Sequence, residues 1–447
     1  MKNKKKKDHM FGLFTSVCLI IGVVVGSGIF FKSDKVLQYT GGNVELGVLV
    51  FVFAAIAIIF GSLSMSELAI RSDKAGGVID YAQTYLNTKF ACVFGWFQNF
   101  VYYPAINAVI SWVSVTYICI LFNLKISLEL EIMISLFIVT GIFLLQYIST
   151  KLVGQFQNIT TVVKLIPIVL VIIYGWFKGN PNLLVEPISG SHSSASWVSA
   201  IGPIAFAYDG WIVATGISHE IRNSKRNLPL ALIIAPIFIL CAYVSYFVGM
   251  CMLIGPEKIM ELRESHAYLA AGIMFGKAGS KIFIIFIIVS IIGTINGVSL
   301  GNSRGIYALG VHNMMPKAKR MTKMNKTFKT PSKSILFCYI ITLFWLVIHY
   351  LTTKNGVLQN SDISEIAVVT TYLLYILLYV QVIRLKKRGE ITSCMRGYII
   401  PLLAILGSIF IFIGGIQSAM FWYYVSFSVA VMIIAYLYAC KYMKEEK

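Results

Sequence analysis

Apolar residues in this chain recur from end to end in blocks of about 20, the length at which a helix crosses the roughly 30 Å of a bilayer's hydrocarbon core. Inside hydrocarbon every backbone N–H and C=O needs a partner from the chain itself, which helices supply and open strands do not. A membrane barrel would instead show short segments of alternating polarity, and these are absent. Charged residues make up only 13% of the 447, about half the usual share of a soluble domain, so an aqueous fold would lack a polar coat. The expected fold is an all-α polytopic membrane protein with about twelve transmembrane helices.

The formal net charge is +19, and its placement argues against a nucleic-acid site. Most of the 38 Lys and Arg fall on the face that holds the N-terminus, with dense patches at Lys2–Lys7, Lys317–Lys333 and Arg384–Arg388. That asymmetry is the positive-inside pattern. It predicts cytoplasmic N- and C-termini in the plasma (inner) membrane and a basic surface facing anionic lipid. The MKNKKKK tract precedes an apolar run that continues past Gly28, so it is read as a tail before an uncleaved first span. The eight cysteines show no CxxC pair and no histidine companions at metal spacing, which points to no metal and no cofactor.

The expected organisation is one transporter domain over 1–447: a basic tail at 1–11, a first repeat at 12–177, a second at 197–383 and two additional helices at 397–440. The connection at 255–279 is long enough for a short interfacial helix. The first span, 12–39, carries glycines at 22, 26 and 28; the sixth, 197–221, carries Pro203, Asp209, Gly210 and Gly216. At ~1.5 Å per residue, Gly26–Gly28 lies roughly 21 Å into the first span and Asp209 roughly 18 Å into the sixth. Both interruptions thus fall near the bilayer midplane. Five spans separate them, so the two halves run in opposite directions. Paired broken helices in two inverted halves mark a carrier's binding site. The N-terminal end of a half-helix offers amides to a carboxylate, while freed carbonyls offer themselves to an ammonium. An α-amino acid satisfies both.

The residues around these breaks resemble the amino acid–polyamine–organocation (APC) superfamily. GVVVGSGIF in the first span looks like its signature, and FAYDGW (206–211) followed by HEIRNSKRNLPLAL resembles its L-amino acid transporter branch. SELAIRSDKAGGVIDYA, GWFQNFVYYPA and NGVSLGNSRGIYALG agree in the right order, in a pattern most similar to bacterial serine/threonine exchangers. The resemblance implies a LeuT-type five-plus-five inverted repeat with helices 1 and 6 broken. It implies that the amides of Gly26, Ser27 and Gly28 hold the substrate carboxylate. The carbonyls of Ile21, Gly22, Phe206 and Ala207 would hold its ammonium, with Phe206 also a lid. Side-chain selection would fall to Tyr103, Asn107, Tyr208, Asp209 and Asn296. Two positions depart from carriers of this branch, which often have Thr where Val23 stands and Asn where Ile212 stands; fewer polar groups would then reach the ligand.

Four ionisable residues are coupling or gating candidates. Lys164 lies deep in the fifth span, where a charge is costly and usually functional. The resemblance puts it where a sodium ion sits in sodium-coupled relatives, bridging span one to span eight, and so implies sodium-independent transport. Glu67, Glu220 and Arg304 fall near one end of their spans and fit an inner gate of ion pairs. Asp209 is expected to hydrogen-bond freed backbone, with cation recognition as the alternative. The chain therefore reads as a secondary carrier of L-amino acids, neutral ones by expectation and cationic ones or polyamines by alternative. No obligate protein partner is indicated. A polytopic membrane enzyme is the alternative of a different class, but it would need acid or metal clusters in sizeable exofacial loops, which hold few such residues; ATP-driven transport would need a GxxxxGK[ST] loop, which the sequence lacks.

Overall fold

The computed structural model describes residues 12–26, 28–72, 77–185, 197–212, 221–328, 330–357, 362–417 and 421–443. Among them every regular element is helical. Among the described residues ten helices are long and apolar enough to cross a membrane. The first and sixth expected spans are missing from that set because both are interrupted. The first is two pieces, α1 (Leu13–Val24) and α2 (Gly28–Tyr39). The sixth begins as α8 (Trp197–Ala207) and gives way to a turn.

Between them run α3 (Val44–Ala69), the short α4 (Val78–Tyr85), α5 (Thr88–Phe122), α6 (Leu128–Ile148) and α7 (Thr150–Lys178). After the second break come α9 (Ser224–Ile254), the short α10 (Pro256–Leu262), α11 (His266–Val311) and α12 (Ala318–Met321). The chain closes with α13 (Ser332–Lys354), α14 (Ile363–Lys387), α15 (Ile400–Ile416) and α16 (Phe421–Tyr442). Polar residues placed between the apolar runs start the helices. The side chains of Asn43, Asn87, Ser127 and Ser149 each accept a backbone N–H of the first turn, satisfying a donor the helix cannot.

Over 255–279, where an interfacial helix is expected, the chain forms α10 and the first turns of α11. The latter kinks at Gly276, where φ of +70° suits a residue without Cβ. The broken helices form the centre of the molecule. α1 packs on α9, α2 on α8, and α8 on α14. Around them α5 lies against α11, and α7 against both α9 and α11. At Gly175 and Gly249, α7 and α9 meet backbone to backbone; a Cβ on Gly175 would stand 2.6 Å from Gly249 Cα. The outer wall is apolar and exposed, for example at Phe137, Phe177 and Trp422, as a surface solvated by lipid requires.

Candidate substrate site

α1 stops because Val25 turns extended (φ −71°, ψ 99°), and the chain becomes helical again at Gly28. α8 stops at Ala207, and Gly210 then takes φ +101°, a conformation that favours glycine. The two breaks touch. A Cβ on Gly28 would lie 2.5 Å from Ala207 Cα, and one on Gly210 would lie 2.8 Å from Val23 Cγ1. Beside this contact is a cavity of about 70 Å³. Gly26 and Gly28 line it from the first break, Phe206, Asp209 and Gly210 from the second, Tyr102 and Tyr103 from α5, and Thr294 and Gly301 from α11. Val23 and Ile212, the two departures from the family pattern, also line it. Its wall is therefore largely carbon.

The four carbonyls expected to receive an ammonium already have donors. Val25 N–H bonds to Ile21 O (2.8 Å) and Asp209 N–H to Phe206 O (3.1 Å). Lys164 Nζ donates to Gly22 O (2.7 Å). The Tyr243 hydroxyl reaches Ala207 O (3.1 Å) and Val24 O (3.2 Å). One O–H thus spans the carbonyl ends of both broken helices and is shared between two acceptors. Each carbonyl keeps a second lone pair, and that is where a ligand's ammonium can bond.

The side chains expected to set selectivity divide. Tyr103 and Asp209 line the cavity; Asn107, Tyr208 and Asn296 do not. Asn107 is fully buried, and among the described residues neither of its amide atoms has a hydrogen-bond partner. Tyr208 packs on Tyr243 and Phe51. Asn296 donates to Val153 O (3.3 Å) and Gln157 Oε1 (3.0 Å), joining α11 to α7. Ser27 lies outside the described residues. Asp209 turns to the freed backbone at Gly210, whose N–H it accepts, and also accepts a hydrogen bond from the Tyr102 hydroxyl. The sequence reading passed over Tyr102, because a π-helical turn at Gln98–Tyr102 is what brings it beside Tyr103.

Of the ionisable candidates, Lys164 is fully buried. It meets the first span at Gly22, and among the described residues no hydrogen bond joins it to the eighth. Glu67 is buried and pairs with Arg71 (2.6 Å), with Arg396 at 3.8 Å. Arg304 is exposed, and Glu220 lies outside the described residues. A second charged group went unread in the sequence. Lys32 of α2, 1% exposed, is held by Asp362 (2.6 Å) and Glu365 (2.5 Å) at the start of α14. Its ammonium also sits 5.0 Å from the centre of the Phe206 ring, a cation–π distance. A buried lysine signals a partner, but nothing local reveals carboxylates more than 300 residues away.

A family model described as amino acid permease matches residues 11–440. The serine/threonine exchanger SteT of Bacillus subtilis (strain 168) is 29% identical over 416 residues, covering 92% of this chain and 91% of SteT. The b(0,+)-type amino acid transporter 1 of Rattus norvegicus is 25% identical over 433 residues, 92% of this chain and 84% of its own. The human cystine/glutamate transporter is 27% identical over 345 residues, 75% of this chain and 67% of its own.

Proposed function

The chain belongs to the amino acid permease family, a multi-pass membrane transporter of amino acids rather than an enzyme, and from that footing we propose sodium-independent exchange of small neutral L-amino acids by alternating access. The cavity between the two broken helices carries this reading. It is small, and Asp209, the single charged side chain among its described lining residues, is engaged by Tyr102. A neutral side chain then meets carbon from Val23, Ile106, Ile212 and Val298, while the α-carboxylate meets the free amides at the start of α2. Lys164 on Gly22 O supports sodium independence, since an ammonium already supplies the cation at that carbonyl. We place both termini on the cytoplasmic side, 12–177 and 197–383 as inverted repeats, and the amino acid and lipids as the partners required.

The test is uptake of labelled L-serine into proteoliposomes holding the purified chain alone. Uptake stimulated by internal serine and indifferent to sodium is expected. Sodium-dependent uptake, or no competition by any proteinogenic amino acid, would refute the proposal. Asp209 on the cavity wall favours a second reading, a cationic amino acid or polyamine carrier. Competition by arginine or putrescine that disappears in Asp209→Asn, with serine ignored, would establish that one instead.

A further inference from the structure

Midway along α5 the helix widens. The N–H of Tyr103 reaches back five residues to Gln98 O, and Pro104 follows with no N–H to give. The carbonyl of Phe100 therefore loses the donor that an ordinary residue 104 would supply. An unserved carbonyl inside a membrane protein is costly. Here the donor is Trp345 of α13, whose Nε1–H reaches Phe100 O at 2.7 Å. Trp345 is 1% exposed. It stacks on Tyr424 (centroids 6.5 Å, 22° between planes) and meets Phe427 edge-on at 5.7 Å. Its ring is therefore fixed from α16 as well.

The widened turn has a consequence for the cavity. Neighbours in a regular α-helix point ~100° apart, yet Tyr102 and Tyr103 both line the cavity, ring centroids 5.0 Å apart. Tyr102 then bonds Asp209 in the sixth-span break. We propose that Trp345 is a positioning residue for the substrate site: its indole donor holds the Phe100 turn, the turn aims Tyr102, and Tyr102 fixes Asp209. Trp345 touches no substrate. The inference rests on the reading of this cavity as the amino acid site.

Two substitutions separate this role from simple packing. Trp345→Phe keeps an aromatic ring and removes the donor. Pro104→Ala returns a backbone N–H within reach of Phe100 O. The reporters are the fluorine resonance of 3-fluorotyrosine placed at position 102 and the Kd for L-serine. Trp345→Phe is expected to move the resonance and weaken binding about tenfold, the effect of one buried acceptor left unmade. Adding Pro104→Ala should return both to near their original values. In a Tyr102→Phe background, Trp345→Phe should weaken binding no further. An unmoved resonance, or losses that simply add in the double variant, would overturn the proposal. If Trp345→Phe fails to fold, Pro104→Ala must restore a monodisperse protein, and failure to do so overturns it equally. Absence of serine binding in the unmutated protein would defeat the site reading, while the fluorine signal would still decide the positioning role.

Discussion

The Nζ of Lys164, a side chain with no exposed surface, donates to the carbonyl oxygen of Gly22 across 2.7 Å. A charged group at membrane depth persists where it is paired or has work to do. This one holds the last turn of α1, just before the helix breaks. Lys164→Ala is expected to leave insertion intact and to slow exchange at least tenfold more than it weakens equilibrium binding. Lys164→Arg should not rescue, because a planar guanidinium is larger than the compact ammonium that the buried Gly22 carbonyl receives. Parallel measurements of Kd and exchange rate decide the matter, and unmutated rates in both variants would leave Lys164 as a structural anchor.

Gly28→Ala should abolish detectable exchange and lower thermal stability together. The added carbon meets the Cα of Ala207 at 2.5 Å, and backbone on a broken helix cannot step aside as a side chain can. Overpacking of this kind costs typically about 1–3 kcal/mol. Gly154→Ala is the control, since its Cβ meets nothing within 4 Å. Melting curves and exchange assays on the two proteins should diverge; equal behaviour would mean the breaks are not in contact.

Lys32→Met should destabilise the protein by about 3–5 kcal/mol, because it strands two buried carboxylates. The triple variant Lys32→Met/Asp362→Asn/Glu365→Gln should recover most of that loss, since it removes the charges together. Denaturant or thermal unfolding in detergent reads both. A triple variant as unstable as the single would show that the contact of Lys32 with Phe206 of α8, rather than its charge pairing with α14, holds α2 in place.

Tyr243→Phe removes the hydroxyl that bridges Val24 O and Ala207 O. Loss of one shared hydrogen bond should cost only about 1 kcal/mol of stability. Exchange should fall further, roughly tenfold, because the register between the two breaks is set by that atom. A fall in melting temperature with unchanged exchange would assign the hydroxyl to folding alone.

Much of this architecture can be read from the chain. Apolar length locates the helices, and glycine within an apolar run locates the breaks, because both signals are local. The short helix after α9 is legible for the same reason. What escapes is whatever depends on distant partners. Asn296 lies between the cavity-lining Thr294 and Gly297 but faces α7, and periodicity alone does not fix that rotation. Lys32 and its carboxylates, Tyr243, and the Trp345–Phe100 bond each join elements far apart in sequence. Pro104 was a visible clue to the widened turn that brings Tyr102 to the cavity. The residue that repairs it was not visible.

The backbone joint between Gly175 and Gly249 bears on how α7 and α9 can move. With no side chain between them, the helices have no rotamers to exchange, and parting them would bare peptide groups to lipid. Such a joint resists opening but allows tilt. From Gly175 back to Thr150, α7 is a lever of about 38 Å at ~1.5 Å per residue. Each degree of tilt therefore displaces the far end by roughly two-thirds of an ångström on that length, while the joint itself stays closed.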